Sequence, residues 1–379
     1  MFAYQKNNRY FAQIADGLEE LGAAEIEDLG GQEVKTAFRG LHFSAEPAAL
    51  YRITYGSRLC SRILAPLISF DCHSTKYLYQ TAVKLPWHEL LGVETTFAVY
   101  ATVANSTISH SQHAALVVKD ALVDALREQT GARPNVNTKN PDLRLALRVE
   151  DNHATISFDV AGESLHRRGY RAETVAAPMQ ETLAAAIIRL ADWNGERPLA
   201  DPMCGSGTLL CEALMHVCRI PAGFLRSRFG FERLPDFDAN AWHQVKKEEN
   251  RHIRELPAGL ISGSDISAAA VAAARVNLDL LPSGDRVSLH TRPFSAIETL
   301  ADCLIVCNPP YGVRLGQEEE AAARIKEFGD FLKQKCTGSS ALLYLGQRAL
   351  IKKVGLKTTW KKPLNNGGLE GVLARYDMY

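Results

Sequence analysis

The chain has 379 residues, more than one ordinary domain needs and enough for two or three. Its 46% hydrophobic and 23% charged residues describe a globular protein with ample core, and no apolar run reaches the roughly 18 residues of a membrane span. Lys+Arg and Asp+Glu both number 43, so the net charge is zero; overall basicity does not advertise a nucleic acid, and any such partner must be met by local clusters.

The first nine residues are polar and lack a secretory apolar segment. Over the next 150 or so, short strands alternate with amphipathic helices. Leu18, Leu21, Ile26 and Leu29 make a helical stripe, and Leu41 and Phe43 mark a strand. Residues 47–67 read as one helix, with Tyr51 and Tyr55 four apart and Arg58 and Arg62 continuing the spacing. A further helix is predicted over 114–128, and strands over 143–149 and 154–160. This α+β half carries no catalytic constellation. His110 and His113 flank Ser111-Gln112 without a third ligand, which favours structural or RNA-contacting histidines over a metal site. The eight cysteines include no Cys-x-x-Cys pair and several sit in apolar patterns, so they read as reduced core residues of a cytoplasmic protein. Cys204, Cys211 and Cys218, spaced by seven, fit core packing better than a metal site.

From about residue 165 the pattern becomes strand–helix alternation, the signature of an α/β fold with a mostly parallel sheet. Strands are expected to end near Ala200, Gly263, His290 and Cys307, with others over 341–345 and 371–376. Residues 219–257 lengthen one connection well beyond a usual loop. Arg226, Arg228, Phe229 and Phe231 lie there, so it reads as a lid, a substrate contact or a packing insertion.

Three motifs carry chemistry. In Asp201-Pro202-Met203-Cys204-Gly205-Ser206-Gly207-Thr208 a strand end passes through a tight turn into an apolar helix. Glycines there let backbone approach a ligand, and a helix start offers N–H groups to an anion. Neither G-x-G-x-x-G nor a Gly-Lys-Ser/Thr triplet is present. Gly263-Ser264-Asp265-Ile266-Ser267 places an acidic residue at a strand's end, suited to a ribose, before an alanine-rich helix capped by Ser267. The run Cys303 to Cys307 breaks off into Asn308-Pro309-Pro310-Tyr311. Two prolines stiffen that loop, so that the Asn308 amide and the Pro309 carbonyl can accept from an exocyclic amine while Tyr311 stacks on its ring. Acceptors on both N–H bonds favour a more tetrahedral nitrogen whose lone pair faces the electrophile, so the chemistry needs orientation rather than a Cys or His nucleophile.

These motifs resemble the amino-group methyltransferases that use S-adenosylmethionine. More narrowly, the chain resembles the bacterial RNA methyltransferases with an N-terminal THUMP domain, above all the half of the bifunctional 23S rRNA enzyme (the L protein) that methylates N2 of a guanine. Gly17-Leu18-Glu19-Glu20-Leu21, Arg133-Pro134-Asn135-Val136, Leu165-His166-Arg167-Arg168-Gly169-Tyr170-Arg171 and Glu181-Thr182-Leu183 extend the likeness along nearly the whole chain. The resemblance implies a ferredoxin-like segment over 1–65, a THUMP RNA-binding domain over 66–163 and a Rossmann-like class I methyltransferase domain over 164–379. It implies S-adenosylmethionine as cofactor, with Asp201, Met203, Cys204, Gly205, Gly207 and Thr208 at its amino acid end and Asp265 and Ile266 at its ribose. Pro178, Met179, Gln180, Glu181 and Thr182 would begin the helix that closes over it. Many relatives carry an Asp just before the position of Phe294; here Arg292-Pro293-Phe294 stands, which leaves Phe294 to cover the adenine face. RNA is the implied partner, 23S rRNA ahead of tRNA, with neither a membrane nor an obligate protein partner. Arg167, Arg168 and Arg171, then Arg226 and Arg228, then Lys361 among the C-terminal lysines, are candidate phosphate contacts. A DNA adenine N6 methyltransferase and a non-catalytic RNA-binding protein are the alternatives that the tetrapeptide and the fold leave open.

Overall fold

The computed structural model describes residues 1–173, 179–310 and 318–379. Two compact units make up the chain. The first comprises residues 1–14, 19–165 and 226–247; the second comprises 15–18, 166–225 and 248–379.

The first unit is built on β1 (Arg9–Gln13), β2 (Gln32–Ala37), β3 (Gly40–Ser44), β4 (Arg62–Asp71), β5 (Phe97–Ala104), β6 (Leu143–Glu150) and β7 (His153–Asp159), joined in one sheet of order β2-β3-β1-β4-β7-β6-β5. The expected ferredoxin-like segment and the module after it thus share one continuous sheet, held together where β4 pairs antiparallel with β7. Helices α1 (Tyr4–Asn7), α2 (Glu19–Asp28), α3 (Pro47–Gly56), α4 (Thr75–Ala82) and α5 (Ser111–Thr130) complete it.

The helix expected over 47–67 stops at Gly56, and Arg62 already begins a strand. The cause is Glu25, buried on α2, whose carboxylate accepts from Ser57 Oγ (2.7 Å) and from the backbone N–H groups of Arg58 and Leu59 (3.1 Å each). Amides drawn to a carboxylate cannot continue an α-helical ladder. Residues 226–247 add an aromatic cluster to this unit: Phe231 meets Tyr51 at 4.7 Å and Trp242 at 5.1 Å, and Trp242 meets Tyr55 at 5.3 Å between centroids. Of the readings open for this insertion, packing is the one its aromatic side chains serve.

The second unit holds α6 (Glu181–Leu190), β8 (Leu199–Asp201) and α7 (Thr208–Val217); α8 (Ala239–Arg251) follows within the insertion. Then come β9 (Ile261–Asp265), α9 (Ala268–Asp279), β10 (Ser288–Thr291), β11 (Leu304–Cys307), α10 (Glu318–Lys335), β12 (Ser340–Leu345), β13 (Trp360–Asn366) and β14 (Leu369–Asp377). Its sheet has the order β10-β9-β8-β11-β12-β14-β13, parallel from β10 to β12, with β14 and β13 antiparallel. Order reverses beside β8, the switch point at which open α/β sheets bind ligands. Apolar side chains of β11, β12, β14 and α10, among them Ile305, Leu343, Tyr376, Phe328 and Leu332, form a core beneath that edge. Strand β13 was not foreseen. Its lysines draw attention to charge, whereas the two-residue Gly367-Gly368 turn between Asn366 and Leu369 makes it half of a hairpin, with Gly367 at φ = +67°.

Candidate active site

Three parallel strands deliver the site: β8 ends at Asp201, β9 at Asp265 and β11 at Cys307, side by side, so their loops open at one edge.

Asp201 is 2% exposed, and its Oδ1 accepts the Met203 N–H at 3.2 Å. Burial pushes its carboxyl up to about 8; the Met203 bond pulls the other way and the nearby Asp265 charge pushes further up. The chain then turns tightly, with Cys204 N–H on the Ser264 carbonyl (2.9 Å) and Gly207 N–H on the Cys204 carbonyl (2.8 Å). Gly207 takes φ = +80° and caps α7 without a side-chain bond to the helix's first amides. A Cβ on it would lie 3.0 Å from the Ala274 Cβ on α9, so the turn rests directly on that helix. Asp265 ties turn to strand: its Oδ2 accepts from Gly205 N–H at 3.0 Å and its Oδ1 from Ser267 N–H at 2.9 Å. Each oxygen retains acceptor capacity for a ribose hydroxyl. Beside it Ile266 is 72% exposed, a large apolar side chain standing open at the rim.

The third loop begins at Asn308, whose Oδ1 is buried and has no hydrogen-bond partner among the described residues. An acceptor left so costs about 1–3 kcal/mol, which a donor arriving with a ligand would recover. Pro309 is buried and Pro310 exposed. Tyr311 and Pro178 lie outside the described residues.

Two candidates have other surroundings than expected. The Phe294 ring is committed to the core, edge-on to Phe328 and Phe331 at 5.1 and 5.7 Å, because the loop after β10 drops it onto α10. Glu181, at the start of α6, is paired with Arg171, which reaches its Oε1 at 2.9 Å and the Met179 carbonyl at 2.8 Å. Gln180 is held by its backbone N–H on Asn366 Oδ1 at 2.9 Å, and Thr182 is buried on the same first turn.

The arginines divide by exposure. Arg168 is 1% exposed and donates from Nε to Glu212 Oε1 (3.3 Å), a carboxylate that also accepts the Tyr170 hydroxyl at 3.0 Å; a guanidinium so enclosed has no access to a phosphate. Arg226 is likewise an internal group, donating to the carbonyls of Ala161, Glu163 and Ser164. Arg228 is exposed and loosely held by Asp142 at 3.7 Å. Arg167 is exposed and, with His166, Gly169, Arg171, Met179, Gln180 and Glu181, lines a cleft of about 400 Å³. Lys361 is exposed on β13. Among the described residues, no cluster of His, Cys, Asp and Glu has the geometry of a metal site.

One buried polar residue beside the turn was missed. Asn277 interrupts the alanines of α9 and is 1% exposed, with Glu173 and Ser206 on its amide. The signal was present, since a lone amide on the helix face of Ala270, Ala274 and Leu278 is a polar group at a core position.

Comparison with known proteins identifies the family. Residues 168–375 match the RMKL-like methyltransferase domain, 72–159 the THUMP domain and 9–64 the RlmL ferredoxin-like domain. The chain belongs to the RMKL-like methyltransferase family. A Synechocystis member of similar length, provisionally named an RNA methyltransferase, is 38% identical over 98% of this chain and 97% of its own. The ribosomal RNA large subunit methyltransferase K/L of Photobacterium profundum is 36% identical over 97% of this chain and 53% of its own, so the chain spans about half the length of the K/L relatives. Among solved structures, that of SMU.472, named a methyltransferase by provisional assignment and complexed with SAH, is 26% identical and superposes with a TM-score of 0.86 over 98% of each chain. One from Listeria monocytogenes, described as a predicted N6-adenine-specific DNA methylase, is also 26% identical with a TM-score of 0.86, over 99% of this chain and 97% of that one. No described helix is long and apolar enough to cross a membrane.

Proposed function

We propose that this family member uses S-adenosylmethionine to methylate the exocyclic N2 of a guanine in 23S rRNA. The observation that carries the reading is the buried, unpaired Asn308 Oδ1 at the same sheet edge as the Gly205–Gly207 turn and Asp265. The THUMP match and the K/L relatives favour RNA, and large-subunit rRNA within it.

When bound, the cofactor supplies an electrophilic methyl group. The α7 start and the glycine turn suit its carboxylate, Asp201 suits its ammonium, and Asp265 with Ile266 suits the ribose and adenine edge. Asn308 Oδ1 accepts a hydrogen bond from one N–H of the target amine and the Pro309 carbonyl accepts one from the other, which localises the nitrogen lone pair along the line of transfer. Both acceptors also receive the positive charge that grows on that nitrogen, and they act by position rather than basicity. A paired base cannot reach this loop, so the target is flipped or unpaired.

Asn308→Ala should lower turnover about 10²–10³-fold while S-adenosylhomocysteine binding stays within about twofold. Undiminished turnover would remove Asn308 from the mechanism. Labelling RNA of a deletion strain with tritiated cofactor and mapping the product nucleoside tests the substrate: N2-methylguanine in 23S rRNA is expected. N6-methyladenine, or label in tRNA, would replace this assignment.

A further inference from the structure

Asn277 makes four hydrogen bonds in a place where a helix normally buries an apolar side chain. Its Oδ1 accepts the backbone N–H groups of Ala172 and Glu173, both at 3.0 Å. Its Nδ2 donates to the Glu173 carbonyl at 2.9 Å and to the Ser206 carbonyl at 3.0 Å. The amide has two acceptor sites and two donor protons, and all four are used. Ser206 is the middle residue of the glycine turn. Residues 172 and 173 follow directly on Arg171, which is fastened to Glu181 at the start of α6. One side chain therefore joins the turn that receives the cofactor's amino acid end to the stretch continuous with the Arg171 anchor.

The orientation of the turn depends on that bond. Gly207 leans on α9 at Ala274, one helical turn before Asn277, so α9 supports the turn's back at two points. Nδ2 draws the Ser206 carbonyl toward the helix, while the N–H of the same peptide, that of Gly207, closes the turn on the Cys204 carbonyl. Without it, the carbonyl would be free to turn toward the site, where its partial charge opposes a carboxylate.

We propose that Asn277 is a positioning residue for the cofactor, holding the Gly205–Gly207 turn in its binding orientation and coupling it to residues 172–173. The proposal rests on the placement of S-adenosylmethionine on that turn, and wild-type binding of S-adenosylhomocysteine checks that placement separately. In Asn277→Ala the dissociation constant for S-adenosylhomocysteine and the KM for S-adenosylmethionine should rise about tenfold or more. At saturating cofactor, kcat and RNA affinity should stay within about twofold. A fall in kcat and RNA affinity with unchanged cofactor affinity would make Asn277 only a core residue and overturn the proposal. If the alanine variant does not fold, hydrogen exchange on the wild-type protein decides. Saturating S-adenosylhomocysteine should slow exchange at the amides of residues 172 and 173 together with those of 205–208. Slowing at 205–208 alone would refute the coupling.

Discussion

Burial first, and then the Asp265 charge, push the Asp201 carboxyl up to about 8, which favours its protonated form. A ligand ammonium beside it would favour the carboxylate, so cofactor binding below pH 8 should release a proton, and affinity should strengthen as pH rises toward 8 and then level. Calorimetry at pH 7 in buffers of differing ionisation enthalpy should show that release, and Asp201→Asn should abolish it. The same shift acts on the unliganded fold. Because the folded value lies above an unfolded value of about 3.9, this group takes stability away as pH rises from about 4 to 8 and restores it as pH falls. The placing of Asp201, Gly205, Gly207, Asp265 and Asn308 at strand ends and in a tight turn was legible in the sequence, because apolar runs break off at acidic, glycine and amide residues there. Arg168 and Arg226 were not, since a guanidinium has one letter whether it faces solvent or closes on Glu212 or on three carbonyls.

At the level of elements, the glycine turn is the piece least able to change. Gly207→Ala forces a side chain into φ = +80° and brings its Cβ within 3.0 Å of Ala274, against a helix that Asn277 also ties to the turn. Strain of this kind costs about 1–3 kcal/mol, and the turn can relieve it only by leaving α9. The expected outcome is a lower melting temperature together with S-adenosylhomocysteine affinity reduced about tenfold or more, read from thermal melts and calorimetry on one preparation. The strands of the parallel sheet were readable as apolar runs ending in polar loops. Two other elements were not. The helix over 47–67 was overrun because the carboxylate that ends it, Glu25, is more than twenty positions away in the chain. The β13–β14 hairpin was hidden by its lysines, although its Gly-Gly turn was in plain view.

For the molecule as a whole, 43 positive and 43 negative side chains cancel, so RNA affinity must arise from local groups. Arg167→Ala should lower the slope of log affinity against log salt by about one. Arg226→Ala should lower the melting temperature while the salt slope stays as it was, because its guanidinium serves internal carbonyls. Filter binding across a salt series, beside thermal melts, separates the two.

The first unit's aromatic cluster joins Tyr51 and Tyr55 to Phe231 and Trp242, residues separated by the first strand and helix of the parallel sheet. A ribosome makes chain in one direction only, so Tyr51 and Tyr55 emerge long before their aromatic partners exist. The first unit must wait, with that patch uncovered, until residues 226–247 have been synthesised. A gene cut after residue 165 would make that interruption permanent.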